Sequence, residues 1–261
     1  MVLESLVKVK VGLKSPIQIF LASSIITLFS FIISVLIFGK DVGLYSVFLI
    51  TIGLVPITSK LNLLAFKISK KSKPSNVISI FGYYKEIIVS YAAIFCGITL
   101  VLSILYLILP AEIAEITFRT QINEIRAIRG YFSFGGTFQT ILINNLGVLL
   151  VCFIFSFVYG AGAIFILTWN ASILSTAIGM TAKAIGGLYA IPLAVMVYFP
   201  HGSLEILAYF LGAIAGGIAS NTIIRNKLGK SIIWDVAFLL SLATLLLLLG
   251  ATIETISILL G

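Results

Sequence analysis

Long apolar runs separated by short polar breaks dominate this chain. A membrane-spanning helix needs about 20 consecutive apolar residues. The runs here are of that length and do not alternate with period two, which predicts helices rather than a closed barrel. The first run covers 17–38. The second covers 42–58, with Gly53 and Pro56 near its end, and the third covers 87–109, stopping at Pro110. A fourth, 138–167, is longer than one straight crossing requires. With Gly160 and Gly162 inside it, it either tilts, extends past the bilayer or breaks at the glycines. The next region, 172–199, contains Lys183, Gly186, Gly187 and Pro192. It reads as one kinked span or as two half-helices joined at Gly186-Gly187. Runs 203–224 and 232–259 complete the set. The fold class predicted is an all-α polytopic transmembrane bundle of about seven spans, or six if 172–199 is re-entrant.

The polar segments divide the chain into three parts. Residues 1–110 form a three-span region whose basic loop, 60–85, carries Lys60, Lys67, Lys70, Lys71, Lys73 and Lys85 with no acid before Glu86. Leu61, Leu64, Ala65 and Ile68 among those lysines predict a short amphipathic helix on the membrane surface, followed by a turn at Lys73-Pro74-Ser75-Asn76. Residues 111–137 mix Glu112, Glu115, Arg119, Glu124, Arg126 and Arg129 with isoleucines at helical spacing, which predicts an amphipathic extramembrane segment. Its end, Tyr131-Phe132-Ser133-Phe134-Gly135-Gly136, reads as a loop or an aromatic interface anchor. Residues 138–261 form the C-terminal membrane region.

Positive charge sets the expected orientation. The N-terminus (Lys8, Lys10, Lys14), the 60–85 loop and the 225–230 loop are the basic ones. Cytoplasmic loops carry excess Lys and Arg. Two spans separate the first pair of loops and four separate the second. An N-terminus in the cytoplasm, a multi-pass location in the plasma membrane and seven crossings are therefore mutually consistent.

Composition excludes several classes. The chain is 60% hydrophobic and only 10% charged, whereas soluble domains carry about 25% charged residues. The net charge of +8 lies in loops between spans, which suits anionic lipid headgroups; nucleic acid is not an expected partner. The run after Lys14 is too long for the core of a cleaved signal peptide and reads as a retained span. Cys96 and Cys152 sit inside apolar runs without metal-ligand spacing. No GxSxG, GxxxxGK[ST] or HExxH motif occurs, so neither a catalytic set nor a cofactor is expected.

Two constellations remain. Ala208, Gly212, Gly216 and Ser220 recur every fourth residue, a small-residue strip that lets another helix approach closely. Packing within the chain is the favoured reading, and a homo-oligomer is the alternative. The polar set is Asn144, Asn145, Asn170, Lys183, His201 and Glu205, with Pro200 and Gly202 flanking the only histidine. On a helix, His201 and Glu205 lie about 40° apart on one face. Interhelical hydrogen bonding, at about 0.6–2 kcal/mol per contact, accounts for such residues; a polar pocket or pathway is the alternative. Gly202 as an N-cap with Glu205 in the first turn would also place the carboxylate favourably. A His–Glu pair offers only two metal ligands, so no metal is expected.

Asn144-Asn145, the glycines at 160 and 162, Asn170, and Pro200-His201-Gly202 with Glu205 ahead of the small-residue span together resemble the stage II sporulation protein M family of integral membrane proteins. The resemblance covers roughly 138–225. It has Asn170-Ala171 where the family often has Asn-Gly. It implies a non-catalytic polytopic component; in spore formers the family member scaffolds cell-wall-degrading enzymes during engulfment. The expectation is a membrane scaffold or assembly component that anchors protein partners. The alternative is a transporter, channel or lipid-translocating protein that uses the polar residues as a path.

Overall fold

A computed structural model of the protein describes residues 15–39, 41–70, 77–130, 137–226 and 229–260. The N-terminal lysines, the Lys73-Pro74-Ser75-Asn76 turn and the 131–136 aromatic segment fall outside the described residues. The described residues form nine α-helices and one short 3₁₀ turn, and no strands. The helices are α1 (Pro16–Phe38), α2 (Val42–Ser69), α3 (Val77–Ile108), α4 (Ala111–Thr117), α5 (Arg119–Gly130), α6 (Thr137–Tyr159), α7 (Ala163–Ile185), α8 (Ile191–Ile224) and α9 (Lys230–Leu260). Seven of them, all but α4 and α5, are long and apolar enough to cross a membrane. The protein is an all-α polytopic bundle.

The count of seven stands, but several boundaries move. The surface helix predicted after residue 58 is instead the last part of α2, which runs unbroken through Pro56 to Ser69. Leu61, Ala65 and Phe66 are buried in the bundle, so the apolar face of that stretch meets protein rather than lipid headgroups. The long run 138–167 breaks at its glycines. Gly160 takes φ 70°, a left-handed backbone that costs glycine little, and α7 begins at Ala163. Region 172–199 is neither one kinked span nor two half-helices. Its first part completes α7, the chain turns at Gly186-Gly187, and α8 starts at Ile191 with Pro192 in its first turn, where a missing N–H is tolerated.

That early start corrects a second expectation. Gly202 is not an N-cap and Glu205 is not in a first turn. Both lie inside α8, past Pro200. With 34 residues at about 1.5 Å each, α8 is roughly 51 Å long, well beyond a hydrocarbon core of about 30 Å.

The second half of α8 is the axis of the bundle. Residues 208–218 are all buried, and α2, α6 and α9 pack around them. By contrast α1, α6 and α9 turn much of their apolar surface outward, as helices facing lipid do. The small strip explains how close the neighbours come. A Cβ on Gly212 would stand 2.5 Å from Leu149 Cδ1, and one on Gly216 only 2.4 Å from the Phe153 carbonyl oxygen. Both meet α6 of the same chain. Ala208 and Ser220 are buried on the same element.

Segment 111–130 is two helices joined at Phe118. That residue is fully buried, its ring stacked on Phe31 at 6.0 Å and tilted against Tyr106 at 5.4 Å between centroids. Ala114, Ile122 and Ile125 face the bundle, while Glu112, Glu115, Arg119 and Glu124 face outward. The ends of α2 and α8 lie together at the opposite side, where the Arg225 guanidinium sits 6.0 Å from the Phe66 ring centroid.

Candidate functional site

A polar clasp joins α6, α8 and α9 inside the bundle. Asn145 on α6 is buried. Its amide donates to Glu205 Oε1 across 2.6 Å, and its oxygen accepts from the Tyr209 hydroxyl across 2.8 Å. Glu205 and Tyr209 are four residues apart on α8, so they share one face and reach the same asparagine. From α9, the Glu254 carboxyl approaches that of Glu205. The two helices approach closely here: a Cβ on Gly250 would stand 3.3 Å from Glu205 Cγ and 3.5 Å from the His201 carbonyl oxygen. Glycine at 250 is what lets α9 reach the clasp.

Other predicted residues stand apart from it. Asn144 is exposed, one position round the helix, with its amide 3.5 Å from Asn145 Oδ1. Asn170 lies mid-helix in α7 and donates to its own helix at Ile166 O, 2.8 Å. Lys183 is exposed; its ammonium donates to Leu109 O at the end of α3, 2.9 Å, and lies 5.7 Å from the Tyr106 ring centroid. Pro200 faces outward, and His201 and Gly202 are half-buried one turn before Glu205. The structure thus unites Asn145 and Glu205 and leaves Asn170 and Lys183 elsewhere.

A second polar centre lies nearer the basic end, and it involves residues absent from the predicted set. Asn62 on α2 accepts from the Tyr91 hydroxyl, 2.9 Å. It donates to Gly160 O and approaches Ser156 Oγ at 3.4 Å. The Ser156 hydroxyl also lies 2.7 Å from Ala213 O on α8. Gly217 is the reason Asn62 fits, since a Cβ there would fall 2.4 Å from Asn62 Cγ. Four helices therefore meet at one buried amide. Closer still to the basic end, the Tyr84 hydroxyl donates to Asp235 Oδ2 at 2.7 Å, with both residues fully buried.

Asp235 and Glu254 carried a readable signal. Asp235 and Glu254 are carboxylates within the last apolar run, and acids inside spans commonly mark inward-facing positions. Asn62 was obscured by the basic residues around it. The hydroxyls of Tyr84, Tyr91 and Tyr209 carried none, because tyrosine is ordinary in such runs.

Chemically, these groups tie helices together. Fold and site together define a polytopic helical membrane protein braced by interior hydrogen bonds. The family model of stage II sporulation protein M matches residues 92–257, well over half of the chain, and the protein belongs to that family. The match extends well beyond the motif-bearing stretch 138–225, taking in about half of α3 and nearly all of α9. No curated protein and no solved structure matches the chain.

Proposed function

We propose that the protein is a non-catalytic integral membrane assembly component that anchors partner proteins. One observation carries this reading: the polar residues of the spans are spent on bracing. Asn145, Glu205 and Tyr209 bond one another across helices, Lys183 caps the end of α3, and Asn170 bonds its own helix. A cavity of about 550 Å³ between α3, α7 and α8 is lined by none of these residues. A rigid bundle with an outward-facing charged appendage suits anchoring. The α4–α5 pair supplies that appendage through Glu112, Glu115, Arg119 and Glu124.

Membranes of the native host, solubilised gently after cross-linking, should yield a reproducible partner with the wild-type chain. Reversing the charges at Glu112, Glu115 and Glu124 should release it. Recovery of the chain alone, with cross-linking efficient on a control complex, would sink the reading.

A second reading, proton-coupled translocation, is favoured by the Glu205–Glu254 carboxyl pair, since paired acids within spans serve proton relays. Proteoliposomes containing the wild type and Glu205→Gln separate the two readings. A pH-gradient-driven flux lost in the variant supports transport; equal, background-level flux in both removes it.

A further inference from the structure

Helix α6 is the least buried of the seven spans. One face carries Asn145 and packs on α8, and the opposite face turns away from the described residues. On that outer face Thr140, Asn144, Gly147, Val151, Ile154 and Val158 are all exposed. They follow one another at steps of four and three in strict alternation, which is an unbroken heptad seam.

Asn144 is out of place on a face turned to lipid. Of the 23 residues in α6, at about 1.5 Å each, a hydrocarbon core of about 30 Å takes up about 20. Asn144 is the eighth, so it lies within the hydrocarbon, where only protein can bond its amide. Among the described residues its one hydrogen bond is the 3.5 Å contact from its amide nitrogen to Asn145 Oδ1. That is longer than an ordinary bond, and the accepting oxygen is already held by Tyr209 at 2.8 Å. Among the described residues the Asn144 oxygen accepts nothing.

The seam itself selects the partner. β-branched residues at the a positions of a heptad favour two parallel strands, and a single asparagine at a fixes their register. With Asn144 at a, the next two a positions are Val151 and Val158. Copies of one chain share an orientation in the membrane, so two α6 helices meet in parallel. On a two-fold axis residue 144 then faces residue 144. An asparagine amide holds both donors and an acceptor, so each copy supplies what the other lacks. Thr140 and Gly147, at the d positions, are small enough to let the backbones approach. The strip at Gly212 and Gly216 cannot serve this purpose, because α6 of the same chain covers it.

We infer that the protein forms a parallel homodimer along the outer face of α6, with the Asn144 amides of the two copies hydrogen-bonded across the two-fold axis.

Two measurements on the full-length chain test this. The first is made in native membranes, in a background of Cys96→Ser and Cys152→Ser. Val151→Cys should cross-link to a second copy when copper phenanthroline oxidises the two thiols, because facing a positions lie within disulfide reach. Leu150→Cys is also at an exposed position but points about 100° away, and it should not. No band at twice the chain mass from Val151→Cys, equal bands from both variants, or a band with a different protein would overturn the proposal.

The second measurement is sedimentation equilibrium in mild detergent. Wild type should show a monomer–dimer equilibrium. Asn144→Leu should raise its dissociation constant roughly three- to twentyfold, the range of one interhelical hydrogen bond. The thermal midpoint of the monomer should hold, since Asn144 lends the fold only the 3.5 Å contact. An unchanged dissociation constant, or a wild type that is monomeric at every concentration, overturns the dimer. So does a lowered midpoint without a change in association, which would make Asn144 part of the clasp.

Discussion

The amide of Asn145 and the carboxyl of Glu205, 60 positions apart in the chain, meet across 2.6 Å. That bond, with Tyr209 closing on the same asparagine, fixes α6 against α8 at the point where α8 enters the core. Removing one partner leaves the other buried without its bond, the costlier half of any such loss. Within membranes such bonds average about 0.6 kcal/mol and reach about 1.7 kcal/mol by double-mutant cycle. A cycle of Asn145→Ala and Glu205→Ala, read by unfolding in detergent, should therefore give a coupling near the upper end of that range. Glu205→Gln, which keeps an acceptor oxygen, should lose less than Glu205→Ala. A coupling of zero would mean that the two side chains do not sense each other.

Close helix approach yields a sharper test. Gly216→Ala places a Cβ 2.4 Å from the Phe153 carbonyl oxygen and 2.7 Å from Ser156 Cβ. Neither is the movable end of a flexible side chain, so α6 and α8 must separate. Overpacking of this kind costs about 1–3 kcal/mol. Gly147→Ala, where nothing lies within 4 Å, should gain about 0.5–1 kcal/mol from helix propensity instead. Thermal midpoints in one detergent should move in opposite directions. A Gly216→Ala protein as stable as wild type would contradict the packing described.

Asn62 is the hub of the second centre, so its loss should exceed the loss of any one spoke. Asn62→Ala strands the Tyr91 hydroxyl and takes from the Gly160 carbonyl one of its two donors, the other being Ser156 Oγ at 3.0 Å. Each buried polar group left unsatisfied costs about 1–3 kcal/mol. Tyr91→Phe removes one donor while Asn62 keeps Gly160, and it should cost less. Denaturation midpoints of the two variants check the order; a reversed order would place the hub at Tyr91.

The spans were legible because hydropathy is a local property: each of the seven runs is apolar whether it faces outward, as much of α1 and α6 does, or is buried in the bundle, as residues 208–218 of α8 are. Connections were less so. Gly160 and Gly186-Gly187 do end helices, but Pro200 does not. Its ring faces outward on α8, where the lost backbone bond disturbs no packed neighbour, so a residue that reads as a break lies inside a 34-residue helix. The site was half legible. Asn145 and Glu205 announce themselves as polar groups in greasy runs. Their partner Tyr209 does not, and Glu254 joins them only because Gly250 lets α9 approach Glu205. Lys183 was misleading for the opposite reason: a cation near a helix end finds a carbonyl at Leu109 and needs no pocket.

Orientation rests on charge and on parity. Arg225 over Phe66 shows that the ends of α2 and α8 share one side of the bundle, and both ends are basic in sequence. Excess Lys and Arg are retained in the cytoplasm and attracted to its anionic leaflet at about 1 kcal/mol per residue. That side should therefore be cytoplasmic, with α4 and α5 on the other face. In a background of Cys96→Ser and Cys152→Ser, single cysteines replacing Lys67 and Arg225 should react with a membrane-impermeant maleimide only after the cells are opened. Cysteines replacing Glu112 and Tyr189, both exposed, should react on intact cells. The reverse pattern would invert the protein in its membrane. Lys67 and Arg225 labelling from opposite sides would instead break the even crossing count between them, because helices that meet at one end cannot finish in different compartments.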